Sequence, residues 1–353
     1  MKNKKLWITA SFICILAGAI LTIAGRLMGG RPGFYIDARG VHAAGSSDHP
    51  DPAECSMVLD EFDSMEIHAD YADIELIPSD EFSIEYRLIG SLGTPVCEVR
   101  NGKLTFQEAE RFSAFNIGFF TMDPAVSEPD YFIRVKIPKD TKLSDAVFDI
   151  ESGNLDISSI QADTLKIKDE YGDVTLGRYQ GKRLDVIMES GVLSLGTVNT
   201  AQADLSNEYG SILITEASGS SLSVQMESCD LKIGTVDFPD VNITDDYGTV
   251  NIDEASGDSL TVQMESCDCQ IDRMDFSDTE ITNSYGDIRL GLPGKIEHYG
   301  FDLISEYGDI RIGDKTLTDD SEGSDIIYKA AGSGQKTVAV SCESGNINIQ
   351  SVK

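Results

Sequence analysis

A four-residue bend motif returns every nineteen residues through the second half of the chain, and that period constrains the fold more than any other feature. In register it reads ESGN from Glu151, EYGD from Glu170, ESGV from Glu189, EYGS from Glu208, ESCD from Glu227, DYGT from Asp246, ESCD from Glu265 and SYGD from Ser284. Two further copies, EYGD from Glu306 and ESGN from Glu343, follow after intervals of 22 and 37 residues, the second close to two repeats. A period near twenty marks a supersecondary unit too small to bury its own apolar face, so the units must stack on one another.

Side-chain parity gives the local structure of a unit. Leu165, Ile167, Asp169 and Tyr171 are expected to share the inward face, followed after the bend by Val174 and Leu176, with the parity slipping at Tyr171-Gly172. Leu184, Val186, Met188 and Ser190, then Leu193 and Leu195, repeat the scheme. Two short strands joined by a glycine corner account for this pattern. Cys229 and Cys267 stand at the glycine position, so a left-handed backbone is not required at every corner.

The units also alternate in kind. A bend Tyr has Asp169, Asn207, Asp245 or Asn283 two positions before it, whereas a bend Ser has Ile150, Met188, Met226 or Met264. The full repeat is therefore 38 residues, as EASGSSLSVQMESCD from Glu216 returning as EASGDSLTVQMESCD from Glu254 shows. The alternation predicts an interior in which large Tyr lies beside small Ser and can donate to the inward Asp or Asn. A single-file coil of nineteen residues per turn and a pair of facing sheets both fit, and the coil is the expectation.

The chain of 353 residues is 41% hydrophobic, an ordinary globular share. Its 60 acidic against 28 basic residues give a formal charge of -32, which excludes sequence-independent nucleic-acid binding because phosphate neutralisation needs Lys and Arg. Cations, cationic polymers and basic proteins are the electrostatically allowed partners.

Lys2, Lys4 and Lys5 precede an uncharged run over residues 6–25, closed by Arg26. Twenty residues at about 1.5 Å rise match the ~30 Å hydrocarbon core. The run predicts an uncleaved transmembrane anchor over 1–28, with a cleaved signal peptide as the alternative. Cys14 lies mid-run without a lipobox. The three lysines favour an inside N-terminus and an extracellular repeat domain. Residues 29–54 read as a linker, 55–146 as an irregular β-rich beginning of the repeat architecture, and 147–353 as the regular repeat domain.

Alternating segments from Met65, Phe82, Lys103 and Tyr131 read as strands, and Tyr71-Ala72-Asp73 as a degenerate bend. The insert between Gln107 and Asp130, with Phe112, Phe115, Phe119 and Phe120, is expected to cap an open end. The fold class expected is all-β: a parallel β-solenoid of two-strand turns preceded by one transmembrane helix.

The candidate site is a column of carboxylates. The residue before the bend Tyr or Ser is acidic in nearly every copy, and Glu170, Glu189, Glu208, Glu227, Asp246 and Glu265 form its uninterrupted middle. Stacked at ~4.8 Å, neighbours would repel by about 0.9 kcal/mol in water before screening. Such a column either keeps the face solvated and unaggregated or binds Ca²⁺ weakly, with Asp173, Asp230, Asp268, Asp287 and Asp309 adding oxygens. EF-hand and glycine-rich calcium motifs are absent. No other cofactor is expected.

The inward Asp169, Asn207, Asp245 and Asn283 read as a hydrogen-bonded polar ladder. Cys267-Asp268-Cys269 has the wrong spacing for zinc and reads as core, and Cys55 with Cys97 is a candidate disulfide. His42, His49, His68 and His298 form no metal or catalytic cluster, and no nucleophile-elbow, P-loop or dinucleotide motif occurs. No catalytic residue is assigned.

With FDSMEIHADYADIELIP from Phe62, VKIPKDTKL from Val135 and the serial bends in view, the chain from Cys55 onward resembles the bacterial putative-adhesin domain family. These are membrane-anchored β-repeat proteins of Gram-positive type and unknown function. The resemblance implies an architecture and carries over no catalytic residues. The expected function is that of a non-enzymatic, membrane-anchored cell-surface protein, an adhesin-like or envelope-associated binding module. Its partners would be the membrane, through the N-terminal helix, and a cell-wall polymer or a surface or membrane protein. The alternatives are a regulatory partner of an envelope-stress sensor or transporter, and a carbohydrate-active β-helix enzyme.

Overall fold

β-branched and leucine side chains at every second position make extended segments whose alternate residues face one interior. The computed structural model describes residues 52–88, 94–109, 131–318 and 325–353, with Gly18 and the backbone of 34–37 and 40–43. The expected anchor over 1–28, Gly18 apart, most of the linker and the Phe112 to Phe120 insert lie outside them. Among the described residues no helix is long and apolar enough to cross a membrane. The chain divides into two units. In the first (residues 1–53, 87–95 and 109–130), Phe34–Asp37 pairs antiparallel with Gly40–Ala43. The second (residues 54–86, 96–108 and 131–353) carries the repeats.

The second unit is all-β and pairs with itself in parallel, at an offset of nineteen residues from Lys142 to Ile288. Leu165 lies beside Leu184, Ile167 beside Val186 and Asp169 beside Met188. Later in the chain Val224 lies beside Ile243, Met226 beside Asp245 and Cys269 beside Ile288. Each unit therefore neighbours the opposite kind and not its own.

Beyond the two-strand scheme, a turn contains a further inward position after Leu176, besides the one that Leu143, Ala162, Phe238 and Phe276 occupy ahead of the first strand. After Leu165, Ile167 and Asp169, and then Val174 and Leu176, a second corner at Gly177 and Arg178 brings Tyr179 inside. Val198, Ala217, Val236, Ala255 and Met274 fill that place in later turns and are all buried. Tyr179 is tied down there, its hydroxyl donating to the Arg183 carbonyl at 2.6 Å.

Sequence order and spatial order part at both ends. The strand Lys142–Ile150 lies between Ile160–Tyr171 and Ser64–Ala69, so the turn containing Tyr71 stacks directly on the turn containing Ser152. At the other end Lys336–Ser344 lies between the turn ending at Tyr285 and the strand Tyr299–Tyr307. The 37-residue interval is therefore not two repeats. It holds one turn plus Lys315–Leu317 and Ile326–Ala330, which return antiparallel against Ile310–Ile312 and Tyr299–Tyr307.

Val96–Arg100 likewise runs antiparallel to Lys103–Gln107. Asn101 and Gly102, at φ 53° and 77°, make the two-residue hairpin loop that such a dipeptide favours. Antiparallel strands at both ends occupy edges that a parallel stack would otherwise leave open.

Candidate functional site

Outward geometry at the bend begins with a four-residue corner. Asp169 is buried and Val174 is buried, while Glu170, Tyr171, Gly172 and Asp173 between them all reach solvent. The parity breaks before the tyrosine and not after it. Tyr171 is 61% exposed, Tyr209 and Tyr247 are each 52%, Tyr285 57% and Tyr307 69%. This corrects the expectation of an interior Tyr beside Ser. A corner that has to reverse direction cannot keep strand alternation through it, and the bulky ring takes the side where there is space.

Stacking turns these corners into a column. From the N-terminal end its members are Tyr71, Ser152, Tyr171, Ser190, Tyr209, Ser228, Tyr247, Ser266, Tyr285, Ser344 and Tyr307. Tyrosine and serine alternate without a break. In sequence order the last three would read Tyr285, Tyr307, Ser344, and the alternation would fail. The insertion of Lys336–Ser344 restores it, with Ser344 beside Tyr285 on one side and Tyr307 on the other.

Acidic side chains run alongside. Asp70, Glu151, Glu170, Glu189, Glu208, Glu227, Asp246, Glu265, Glu343 and Glu306 precede the column residues, Ser284 being the exception. The structure thus aligns the predicted Glu170, Glu189, Glu208, Glu227, Asp246 and Glu265 on successive turns. Lys168 bridges Glu170 at 2.9 Å, and this hydrogen bond holds the Lys168 pKa above its ordinary value. Glu189, Glu208, Glu227, Asp246 and Glu265 form no ion pair among the described residues.

The aspartates past the bend have a structural task. Asp173 Oδ1 accepts the Val192 N–H at 2.9 Å, Asp268 Oδ1 that of Asp287 at 2.8 Å, and Asp287 Oδ1 that of Asn346 at 2.9 Å. Asn154 Oδ1 does the same for Asp173, and Asp230 Oδ1 accepts from the Thr249 hydroxyl at 2.7 Å. Asn154, Asp173, Asp268 and Asp287 each satisfy a corner amide of the next turn, where the backbone is turning out of its ladder, whereas Asp230 holds a hydroxyl. Among the described residues no group of three or more His, Cys, Asp or Glu is placed to hold a metal ion.

Glycine between these residues answers to a close approach. A Cβ on Gly191 would lie 1.9 Å from the Gly172 carbonyl oxygen, and one on Gly210 2.0 Å from that of Gly191, at φ 125° and 139°. Cys229 and Cys267 solve the corner differently, without positive φ. Their thiols turn inward, Cys229 Sγ donating to the Asn207 carbonyl at 3.2 Å and Cys267 Sγ lying 3.3 Å from Asp245 Oδ2.

Behind the corner the inward polar residues make less than a complete ladder. Asn207 Nδ2 donates to the Gly191 carbonyl at 3.0 Å and Asn283 Nδ2 to that of Cys267 at 2.7 Å, each the corner of the preceding turn. Asp169 and Asp245, in the same place four turns apart, have no proton to donate when ionised. Neither Asp169 oxygen makes a hydrogen bond, nor does Asp245 Oδ1. Burial pushes the Asp169 carboxyl up to about 7, the nearby Tyr171 N–H offsetting part of the rise and the charges of Asp173 and Glu170 adding to it. Burial raises Asp245 to about 6, with the Cys267 thiol offsetting part of the cost.

Cys267 and Cys269 are buried core residues, their thiols pushed by burial up to about 12. Cys55 and Cys97, the candidate disulfide pair, are both free thiols. His68 lies in an ion-pair group with Glu66 and Asp149, and Lys103 also bridges Glu66. Arg134 grips Glu75 at 2.8 and 3.2 Å. Lys103 and Arg134 thus pair with acids of neighbouring strands, Glu66 and Glu75, and not with the corner column. A shallow depression lined by Asp272, Arg289, Gln270 and Gln350 carries one carboxylate and no aromatic ring.

The exposed tyrosines are what sequence reasoning missed. The alternation across the C-terminal end had no sequence signal, because it depends on which turn is inserted where.

A sequence model of the Toastrack DUF4097 family matches residues 62–236 and 197–350. No curated protein sequence matches the chain. Among solved structures, a putative adhesin from Parabacteroides merdae is similar at 12% identity and a TM-score of 0.41, over 86% of this chain and 97% of that one. A putative lipid binding protein from Parabacteroides distasonis is similar at 15% identity and a TM-score of 0.44, over the same shares. A putative adhesin from the latter organism gives 12% and 0.39, over 69% of this chain and 94% of that one. At these scores the likenesses assign no ligand and no activity.

Proposed function

The chain belongs to the Toastrack DUF4097 family, and on that premise we propose that it is a non-enzymatic binding module of the cell envelope. Residues 6–25 anchor it in the membrane as a single-pass helix with the repeat domain outside. That domain is a parallel β-solenoid of nineteen-residue turns, and the pairing offset from Lys142 to Ile288 supports this geometry. Its ligand is a repetitive one at the cell surface, a wall polymer or a neighbouring surface or membrane protein, and not a nucleic acid.

One observation carries the reading: the uninterrupted Tyr/Ser column with its acidic flank, which presents equivalent outward groups at a constant interval. Weak, equivalent contacts along one line gain affinity through avidity toward a ligand that is itself periodic. An enzyme would instead concentrate its outward chemistry at one place. Ca²⁺ has a role here as a bridge between the acidic flank and anionic envelope polymers, rather than as a resident cofactor.

The test is capture on cell envelopes. The full chain is reconstituted in fluorescent vesicles, and vesicle binding to isolated envelopes is measured in millimolar Ca²⁺ and in chelator. The expected result is saturable capture above that of empty vesicles, with the Ca²⁺ arm showing whether the metal strengthens it. Capture no better than that of empty vesicles in both conditions would overturn the reading.

A further inference from the structure

We propose that the column binds an extended cationic peptide segment in the polyproline II conformation, with a Lys or Arg at every third residue. This rests on the binding-module reading above and names the partner of the same site. Tyr171, Tyr209, Tyr247, Tyr285 and Tyr307 are each more than half exposed, and a tyrosine occupies every second turn. Two turns at ~4.8 Å each set successive rings about 9.6 Å apart. A polyproline II chain, with three residues per turn and ~3.1 Å rise, returns the same face about every 9.3 Å. Across the four rings of Tyr171, Tyr209, Tyr247 and Tyr285 the accumulated mismatch is about 1 Å.

Other peptide conformations fall out of step. A β-strand returns the same face about every 6.8 Å, and a helical heptad about every 10.5 Å, which drifts by about 3 Å over three intervals. Polyproline II segments are moreover stiff before binding and favour aromatic-lined surfaces.

Charge supplies the other half of the match. Glu189 and Glu227, on the serine turns between the rings, form no ion pair among the described residues, and only Lys168 lies near enough to Glu189 to feel its charge. A basic side chain on every third ligand residue would lie over a tyrosine face with carboxylates to both sides, combining cation–π attraction with ion pairing. The small Ser190, Ser228 and Ser266 keep the gaps open for the proline rings between basic residues. The alternation persists where the chain order breaks, at Tyr285, Ser344 and Tyr307, so the ring spacing is not a by-product of tandem duplication alone.

The experiment uses the full chain in detergent micelles and three fluorescent peptides: repeated Pro-Pro-Arg, the same composition with arginines and prolines in separate blocks, and repeated Pro-Pro-Gln. At physiological salt, Pro-Pro-Arg is expected to bind roughly tenfold to a hundredfold more tightly than the block peptide, the scale of several exposed cation–π contacts. Replacing Tyr171, Tyr209, Tyr247 and Tyr285 by Ser, the residue already present on alternate turns, should remove that preference and leave the circular dichroism spectrum unchanged. Equal binding of the two arginine peptides would overturn the proposal, because net charge alone would then explain the attraction. Absence of peptide binding together with Tyr-dependent binding of a chitin oligosaccharide would replace the peptide by a glycan. In that event the binding-module reading survives, whereas loss of envelope capture defeats it independently.

Discussion

At the scale of single residues, Asp169 and Asp245 are where the repeat is least well satisfied. The Asn at the equivalent place in neighbouring Tyr turns gives its amide hydrogen to the preceding corner carbonyl; an ionised carboxylate there can only repel it. Their folded pKa values, about 7 and about 6 against an ordinary 3.8 for an Asp carboxyl, lie above those of the unfolded chain. The native state then holds more protons than the unfolded state between pH 3.8 and about 7, so these residues cost stability progressively as pH rises through that window. The double substitution Asp169→Asn and Asp245→Asn should raise stability above pH 7 by about 1–3 kcal/mol, the scale of a buried unsatisfied group. Below the unfolded pKa it should change little. Urea midpoints of variant and parent across pH measure this difference, and a gain that is the same at all pH would contradict the assignment. Gly191→Ala should act in the opposite direction, by about 2–6 kcal/mol at every pH, because left-handed strain and overpacking against the Gly172 carbonyl add. A urea midpoint equal to the parent's would show that the corner has room.

At the scale of elements, the stacking unit was legible because apolar residues at alternate positions and a bend at fixed spacing are local signals. Leu165, Ile167, Val174 and Leu176 face inward as read, and Tyr71-Ala72-Asp73 does take the place of a bend, with the Ala72 carbonyl against Gly153. The inward position after Leu176 was not legible. Tyr179 in one turn and Ala217 in another share no residue type, so only burial identifies them as equivalent. The corner failed for a related reason: parity counting assumes a strand, and residues 170–173 are not one. Asp173, Asp268 and Asp287 past the bend read as candidate ligands, yet each accepts a corner amide of the turn stacked on it, nineteen residues away for the first two and 59 for the third. The hairpin at Asn101-Gly102 carried an ordinary sequence signal, which the search for bends passed over.

At the scale of the whole repeat unit, order in space differs from order in sequence, and the site depends on the difference. The turn ending at Ser344 is last in the chain but not last in the stack, and its place beside Tyr285 and Tyr307 keeps the column alternating. No periodicity analysis predicts such an insertion, because it follows from the antiparallel returns that close the stack. Negative charge was plain in the composition. Its concentration along the corner became visible only once the ion pairs of Arg134, Lys103 and Lys168 were accounted for. The central claim is that the corner tyrosines point to solvent in one column while other tyrosines are core. Nitration of the native full chain, mapped by peptide mass spectrometry, tests it most directly. Tyr171, Tyr209, Tyr247, Tyr285 and Tyr307 should be modified rapidly, and Tyr179 and Tyr299, 1% and 4% exposed, should be spared until the protein unfolds. Protection of the corner tyrosines to the level of Tyr179 would return them to the interior and contradict the account.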